Sequence, residues 1–215
     1  PFSHVSADLY SFQIQKEIVR MSIKVMEMFD SITNTITNRK NMEEENESIN
    51  RTESYIDEMN DAITNFLQKC SRLPTANSFD RHHFTRLIQV TDNLENLSDE
   101  CTSIMHTMVK FFSAYEDTDQ EDRPVRAKEI SDYLETVRFF YEQVCIYLTT
   151  GISDDERMRA ESLEQKIDEK KKELRRFSRK RIENGGNVKT ELNYIDLVRK
   201  IEKAGDCVFA IVQAS

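Results

Sequence analysis

A long apolar seam in the middle of the chain limits the fold more than any other feature of the sequence. Apolar residues recur there every seven positions, and a second apolar set lies between them. The two sets are Leu87, Leu94, Cys101 and Met108, and Val90, Leu97, Ile104 and Phe111. This spacing is typical of one face of an amphipathic helix. We therefore expect one long helix over about residues 79–116, packed along one side against other helices.

The same periodicity recurs in the rest of the chain, and few residues interrupt it. Only four glycines and three prolines occur in 215 residues, and 32% of the residues are charged. This composition favours long helices with solvated faces. Breaks are indicated by Pro74, by Gly151 and by the turn Asn184–Asn187. We predict six helices, over about residues 8–38, 43–72, 79–116, 125–150, 154–183 and 188–213.

The two halves of the chain repeat a pattern of acidic pairs. Each pair is spaced i, i+4, which places both carboxylates on one helix face. The pairs are Glu53 and Asp57, Glu95 and Asp99, Glu164 and Asp168, and Glu202 and Asp206. Short connections favour antiparallel neighbours. The sequence thus predicts an all-α fold of two antiparallel three-helix bundles related by an internal repeat, with a first bundle at 1–117, a polar linker at 118–124 and a second bundle at 125–215.

The acidic pairs are placed symmetrically about the turns of their hairpins. When the second and third helices are folded at residue 76, Glu53 lies level with Asp99, and Asp57 with Glu95. Folding the last two helices at residue 185 sets their acids level in the same way. Four facing carboxylates would repel one another unless a cation neutralised them, and such a set suits Mg, Mn, Fe or Ca. The alternative is an ordinary acidic helix surface.

Several classes of protein are disfavoured by composition and motifs. A net charge of −9 argues against general nucleic-acid binding. No apolar run of about 18 residues indicates a membrane span within this segment. The sequence has no phosphate-binding glycine loop, nucleophile elbow or Glu-x-x-His pair. We therefore predict no catalysis. A metal-dependent helical-bundle enzyme is the alternative of another class, and a purely structural scaffold is a third.

The fifth predicted helix is strongly basic in its second half. Its bases are Lys166, Lys170, Lys171, Lys172, Arg175, Arg176, Arg179, Lys180 and Arg181. They suit a solvated helix face with acidic partners such as Glu169 and Glu173. The functional interpretation is a patch for anionic lipid headgroups or for an acidic partner.

The acidic motifs resemble those of the PhoU family of phosphate-uptake regulators. The segment Val90–Asp99 resembles the family's LERIGD-type helix, Ile201–Asp206 resembles its second copy, and Glu53–Asp57 and Glu164–Asp168 resemble the partner motifs. The resemblance implies two three-helix bundles that modulate phosphate transport through protein contacts. It also implies possible metal clusters (Fe, Mn, Zn or Mg), because some family members bind multinuclear clusters through these motifs. The positions carried over are Glu53, Asp57, Glu95, Asp99, Glu164, Asp168, Glu202 and Asp206.

This chain departs from the family pattern at three positions. Asn96 and Lys203 stand where the family often has arginine, and Ser98 stands where it often has glycine, whereas Gly205 keeps the glycine. A serine is larger than a glycine, so we expect a looser helix approach at Ser98.

The opening helix is similar to the one that follows the membrane region in bacterial sodium/phosphate cotransporters, which carry a PhoU-like cytoplasmic domain. The similarity lies in Glu17–Met21 and Val25–Met28, and a chain that begins at Pro1 fits a fragment of such a protein. It implies a place on the cytoplasmic side of the bacterial inner membrane, a transmembrane transporter region on the same polypeptide as partner, and a possible homodimer. The alternative is a free-standing regulator of a phosphate ABC transporter and its sensor kinase.

Overall fold

The computed structural model describes residues 7–38, 41–74, 76–113 and 123–215, and they form six helices. Within these ranges no strand occurs, which confirms the all-α prediction. The helices are α1 Ala7–Thr37, α2 Met42–Ser71, α3 Ser78–Ser113, α4 Arg123–Thr150, α5 Asp154–Glu183 and α6 Val188–Ala214. Each end that falls on described residues lies within two positions of its predicted place.

The linker prediction falls largely outside the described residues. Positions 114–122 are not described, so neither the predicted end of the third helix at 116 nor linker residues 118–122 can be placed. Arg123 and Pro124, assigned to the linker, lie instead in the first turn of α4. Proline suits the start of a helix because its missing N–H would have no partner within the helix there.

Local signals explain why α5 and α6 begin where they do. Ser153 and Glu156 form a capping box, in which the Ser153 hydroxyl accepts from the Glu156 amide and the Glu156 carboxylate accepts from the Ser153 amide. The Asn187 side chain accepts from the Thr190 amide at the start of α6. Gly185 has a positive φ of 89°, a conformation that costs glycine little. This reversal sets α5 and α6 antiparallel.

The helices form two sets of three that share one hydrophobic core. α1, α2 and α3 pack on one another, as do α4, α5 and α6. α3 also packs against α6, and α1 against α4, and the connected core contains buried side chains from all six helices. Within the described ranges, no helix combines the length and apolar character that a membrane crossing requires.

Candidate functional site

The first-half acids of α2 and α3 converge at one place on the surface. Glu53 and Asp57 come from successive turns of α2, and Asp99 comes from α3. One carboxylate oxygen from each residue lies within 4.8 Å of the others. Glu53 is half-buried, while Asp57 and Asp99 are exposed. We call these three residues and Glu95 the first acidic cluster.

Glu95 interacts electrostatically with the other three acids of the first acidic cluster. Its pKa is raised from 4.5 to about 7, first by burial and then by Asp99, Asp57, Asp92 and Glu53 in that order. Burial and Asp57 likewise raise the pKa of Asp99, and burial, Asp57 and Asp99 raise that of Glu53. The acids that the sequence placed level across the hairpin therefore interact, and each disfavours ionisation of its neighbours.

No lysine or arginine neutralises the first acidic cluster among the residues that the structure describes. A histidine does lie nearby: His106, whose charge would lower the pKa of Glu53. Its Nε2 lies 3.1 Å from the Asn50 side-chain oxygen. The sequence analysis did not connect His106 with the acidic motifs. Its spacing of seven residues from Asp99, two turns along one face, was the signal that could have placed it here.

The second-half acids also come together, between α5 and α6. The pKa of Asp206 is raised to about 6, first by burial and then by Glu202, Asp168 and Glu164. Burial, Asp168 and Glu202 raise the pKa of Glu164. We call these four residues the second acidic cluster. Its acids come from the second and third helices of their set, α5 and α6, just as the acids of the first cluster come from α2 and α3.

Lys171 distinguishes the second acidic cluster from the first. Its ammonium forms an ion pair with Glu202 and lies 4.0 Å from Asp168, and it lowers the pKa of Asp206. The internal repeat, with its offset of 111 residues between α2 and α5, places the neutral Asn60 at the corresponding position. Within the described ranges, three carboxylates close enough to share a metal ion occur only in the first cluster. The sequence analysis counted Lys171 among the bases of the fifth helix but did not place it beside the acids, although it follows Asp168 by three residues on the same face.

Sequence comparisons return no relative. No family model matches the chain, and no curated protein matches it. Solved structures do match. PhoU from Pseudomonas aeruginosa superposes with a TM-score of 0.82 over 97% of this chain and 96% of that protein, at 14% identity. The phosphate transport system regulatory protein PhoU from Streptococcus pneumoniae gives a TM-score of 0.79 over 97% and 94%, again at 14% identity. This chain has the PhoU fold.

Within the PhoU fold, the two copies of the acidic motif pack differently beside the clusters. A Cβ added at Gly205 would lie 3.1 Å from Cγ2 of Ile167, so α6 approaches α5 closely there. Ser98 takes the matching place in the first half and is fully buried. Its hydroxyl has no hydrogen-bond partner in the described part of the chain. The serine therefore adds a buried polar atom that glycine does not have.

Proposed function

We propose that this chain is a non-catalytic regulator of phosphate uptake that acts through protein contacts. The observation that supports this most is the match of nearly its whole length to two PhoU structures, one of them described as a phosphate transport system regulatory protein. The repeated acidic motifs of α2, α3, α5 and α6 add independent support, because they resemble the family's motifs.

The partner we propose is a membrane-embedded phosphate transporter at the cytoplasmic face of the bacterial inner membrane. In the first arrangement this segment is a domain of a sodium/phosphate cotransporter, with the transmembrane region on the same polypeptide. In the second it is a free-standing regulator of a phosphate ABC transporter and its sensor kinase. The fold does not distinguish the two arrangements, and the first depends on the resemblance of Glu17–Met28 alone.

Transport assays test the function and separate the two arrangements. We would delete from the native gene the codons for residues 7–215 of this segment. The deleted strain should take up radiolabelled phosphate at a rate that no longer responds to the external phosphate concentration. Under the first arrangement the altered uptake depends on sodium, and under the second it depends on ATP. Unchanged regulation of every phosphate uptake route in the deleted strain would reject the proposal.

We further propose that the first acidic cluster binds a metal ion, with Fe, Mn, Zn and Mg as candidates. Its donors are carboxylate oxygens, which suit hard and borderline cations. Glu53, Asp57 and Asp99 would hold the ion, and Glu95 lies beside them. A cation would supply the positive charge that these acids otherwise lack. It would serve regulation by fixing α2 against α3, not by activating a substrate.

The second acidic cluster fits a metal ion less well, because Lys171 already supplies a positive charge there. Glu164, Asp168, Glu202 and Asp206 would bind an ion only after this ammonium moved away. We therefore expect the first acidic cluster to bind a metal ion more tightly than the second.

Elemental mass spectrometry on protein purified without a metal-affinity column tests this asymmetry. We expect stoichiometric metal that is lost in Asp99→Asn and retained in Asp206→Asn, its matched control in the other half. Lys171→Gln should raise the metal content by freeing the second cluster. Wild-type protein that takes up none of Fe, Mn, Zn or Mg on titration would reject the metal site.

A further inference from the structure

The outer face of α5 carries five basic side chains that the proposed function does not use. All five are exposed, and none forms an ion pair with a carboxylate in the described part of the chain. We call them the basic face: Lys172, Arg175, Arg176, Arg179 and Lys180. Nearby bases do have partners. Lys170 pairs with Glu173 at 2.7 Å, and Lys171 pairs with Glu202 of the second acidic cluster.

Helix geometry gathers these five side chains on one side of α5. At the α-helical rotation, positions 172 to 180 place them within a sector of about 140°, over a rise of about 12 Å. Leu174 and Ser178, which are buried, point to the opposite side. The basic face is thus a compact patch that points away from the core.

Ordinary helix electrostatics do not account for the basic face. Bases stabilise the last turn of a helix through its dipole, and of the basic face only Lys180 lies in that turn. Lys172, Arg175 and Arg176 lie farther back, where the dipole has little effect. Pairing with acids three or four positions away also fails, because these three bases form no such ion pair. The patch is also exceptional in a chain with a net charge of −9.

The patch lies on one helix, and the hollow beside Lys172 and Arg176 is lined by α5 side chains alone, so no second helix among those described forms a wall of a peptide groove there. The side chains of the patch are long and flexible. Met158, more than ten residues away, is the one large apolar side chain exposed on α5. Contact through the basic face would therefore be electrostatic, without apolar insertion.

We propose that the basic face docks this protein on an anionic phospholipid surface. Clustered lysine and arginine side chains are drawn to such surfaces, and each base close to the membrane strengthens binding by about fivefold. Charge complementarity and the absence of exposed large apolar side chains from this part of α5 favour lipid headgroups over an acidic protein. The inference goes beyond the proposed function and would hold whether or not the acidic clusters bind metal.

Vesicle sedimentation tests the proposal directly. The protein should sediment with equimolar phosphatidylglycerol/phosphatidylcholine vesicles at low salt and remain in solution with pure phosphatidylcholine. Raising the salt concentration should release it, since salt screens exposed charges. Equal sedimentation with both kinds of vesicle would overturn the proposal, as would no sedimentation with either.

Two charge-matched variants locate the contact. Replacing all five bases of the basic face by glutamine should weaken binding to the anionic vesicles by at least about tenfold. The control replaces five bases that have acidic partners and removes the same charge; four of them are exposed and Lys24 is half-buried: Arg20, Lys24, Arg51, Lys128 and Arg199. It should bind as the wild type does. Equal losses in both variants would show a net-charge effect and overturn the proposal.

Three further measurements test the remaining explanations. Glutamine is a good helix former, so circular dichroism should show unchanged helicity in both variants. Lys172→Arg/Lys180→Arg, which keeps the charge, should bind normally, and its failure to bind would overturn an electrostatic contact. Poly-glutamate serves as the probe for an acidic protein partner. If it binds the basic face while the anionic vesicles do not, the lipid proposal is overturned.

Discussion

At the residue scale, the two halves differ most where they share a motif. Gly205 lets α6 approach Ile167, whereas Ser98 places a hydroxyl without a hydrogen-bond partner in the core. A buried hydroxyl that finds no partner costs free energy, because it gives up its hydrogen bonds to water. The first half thus has a local defect that its repeat lacks.

Removing the Ser98 hydroxyl should stabilise the protein. We expect Ser98→Ala to raise the free energy of unfolding by about 1 kcal/mol beyond the gain in helix propensity. The matched control is Ser162→Ala, at an exposed position of α5, which should show the propensity gain alone. Urea unfolding followed by circular dichroism measures both. A Ser98→Ala gain no larger than that of Ser162→Ala would show that the hydroxyl is satisfied in solution.

The raised pKa of Glu95 predicts an unusual pH dependence in metal-free protein. This pKa is about 7 in the folded protein against 4.5 for an unperturbed glutamate, so the folded state binds more protons than the unfolded state between these values. Stability should therefore fall as pH rises across this window, by about 1–2 kcal/mol because water screens a partly exposed carboxylate.

Glu95→Gln is the control for this pH dependence. Stability measured by unfolding between pH 4.5 and 7 should depend less steeply on pH in the variant than in the wild type. Asp206, with a pKa of about 6, would keep a smaller slope in the same direction. An identical slope in the wild type and in Glu95→Gln would contradict the electrostatic account of the first acidic cluster.

At the element scale, a buried ion network fixes the beginnings of α4 and α6 against the end of α5. Arg126 and Glu191 are both fully buried, and their side chains lie 2.8 Å apart. Arg181 bonds to Glu191 at 2.9 Å and to Glu129 at 3.1 Å. The Tyr194 hydroxyl donates to Glu129. Three helices therefore meet through charges that have little access to water.

Breaking this network should be costly. We expect Glu191→Gln to lower the free energy of unfolding by about 3 kcal/mol, since it takes the shared carboxylate from the buried Arg126 and the partly buried Arg181. Asp132→Asn breaks the exposed ion pair with Lys128 and should change stability by less than about 1 kcal/mol. Thermal and urea unfolding measure both variants. A loss below 1 kcal/mol for Glu191→Gln would show that water enters the network.

The sequence predicted the positions of the helices better than it predicted which charged side chains pair, and the reason is physical. Apolar period and turn residues are local signals, so Pro74 and Gly185 located the hairpins of α2–α3 and α5–α6. Because the acids of each hairpin lie at equal distances along the chain from its turn, the sequence also predicted that they lie level with one another. Which face each helix presents depends on packing among all six. For that reason the ion pairs between helices, Lys171 with Glu202 and Arg126 with Glu191, could not be read from spacing.

At the scale of the whole molecule, the two sets of helices are joined by an extensive interface, and α3 and α6 make the largest contact between any two of the described helices. α3 packs closely on α6, where Lys200 donates to the Thr107 hydroxyl at 2.6 Å. α1 packs on α4, where the buried Tyr141 hydroxyl donates to the Ser22 carbonyl at 2.7 Å. The division into three-helix bundles at 1–117 and 125–215 stays a prediction. The shared core argues that these units do not unfold separately.

A substitution at the contact between α1 and α4 tests this cooperativity. The rings of Phe29 and Tyr141 lie 5.5 Å apart, and both are fully buried. Phe29→Ala should cost about 3–5 kcal/mol and lower the melting temperature by about 10 °C. If the molecule unfolds as one unit, calorimetry will show a single transition whose van't Hoff and calorimetric enthalpies agree. Hydrogen exchange in the slowest-exchanging peptides of α2 and α5 should then accelerate by the same factor, although neither helix contains the substitution. Acceleration in α2 alone, or a second calorimetric transition, would mean that the two sets unfold independently, because loss of a contact in the first set would then leave the second unaffected.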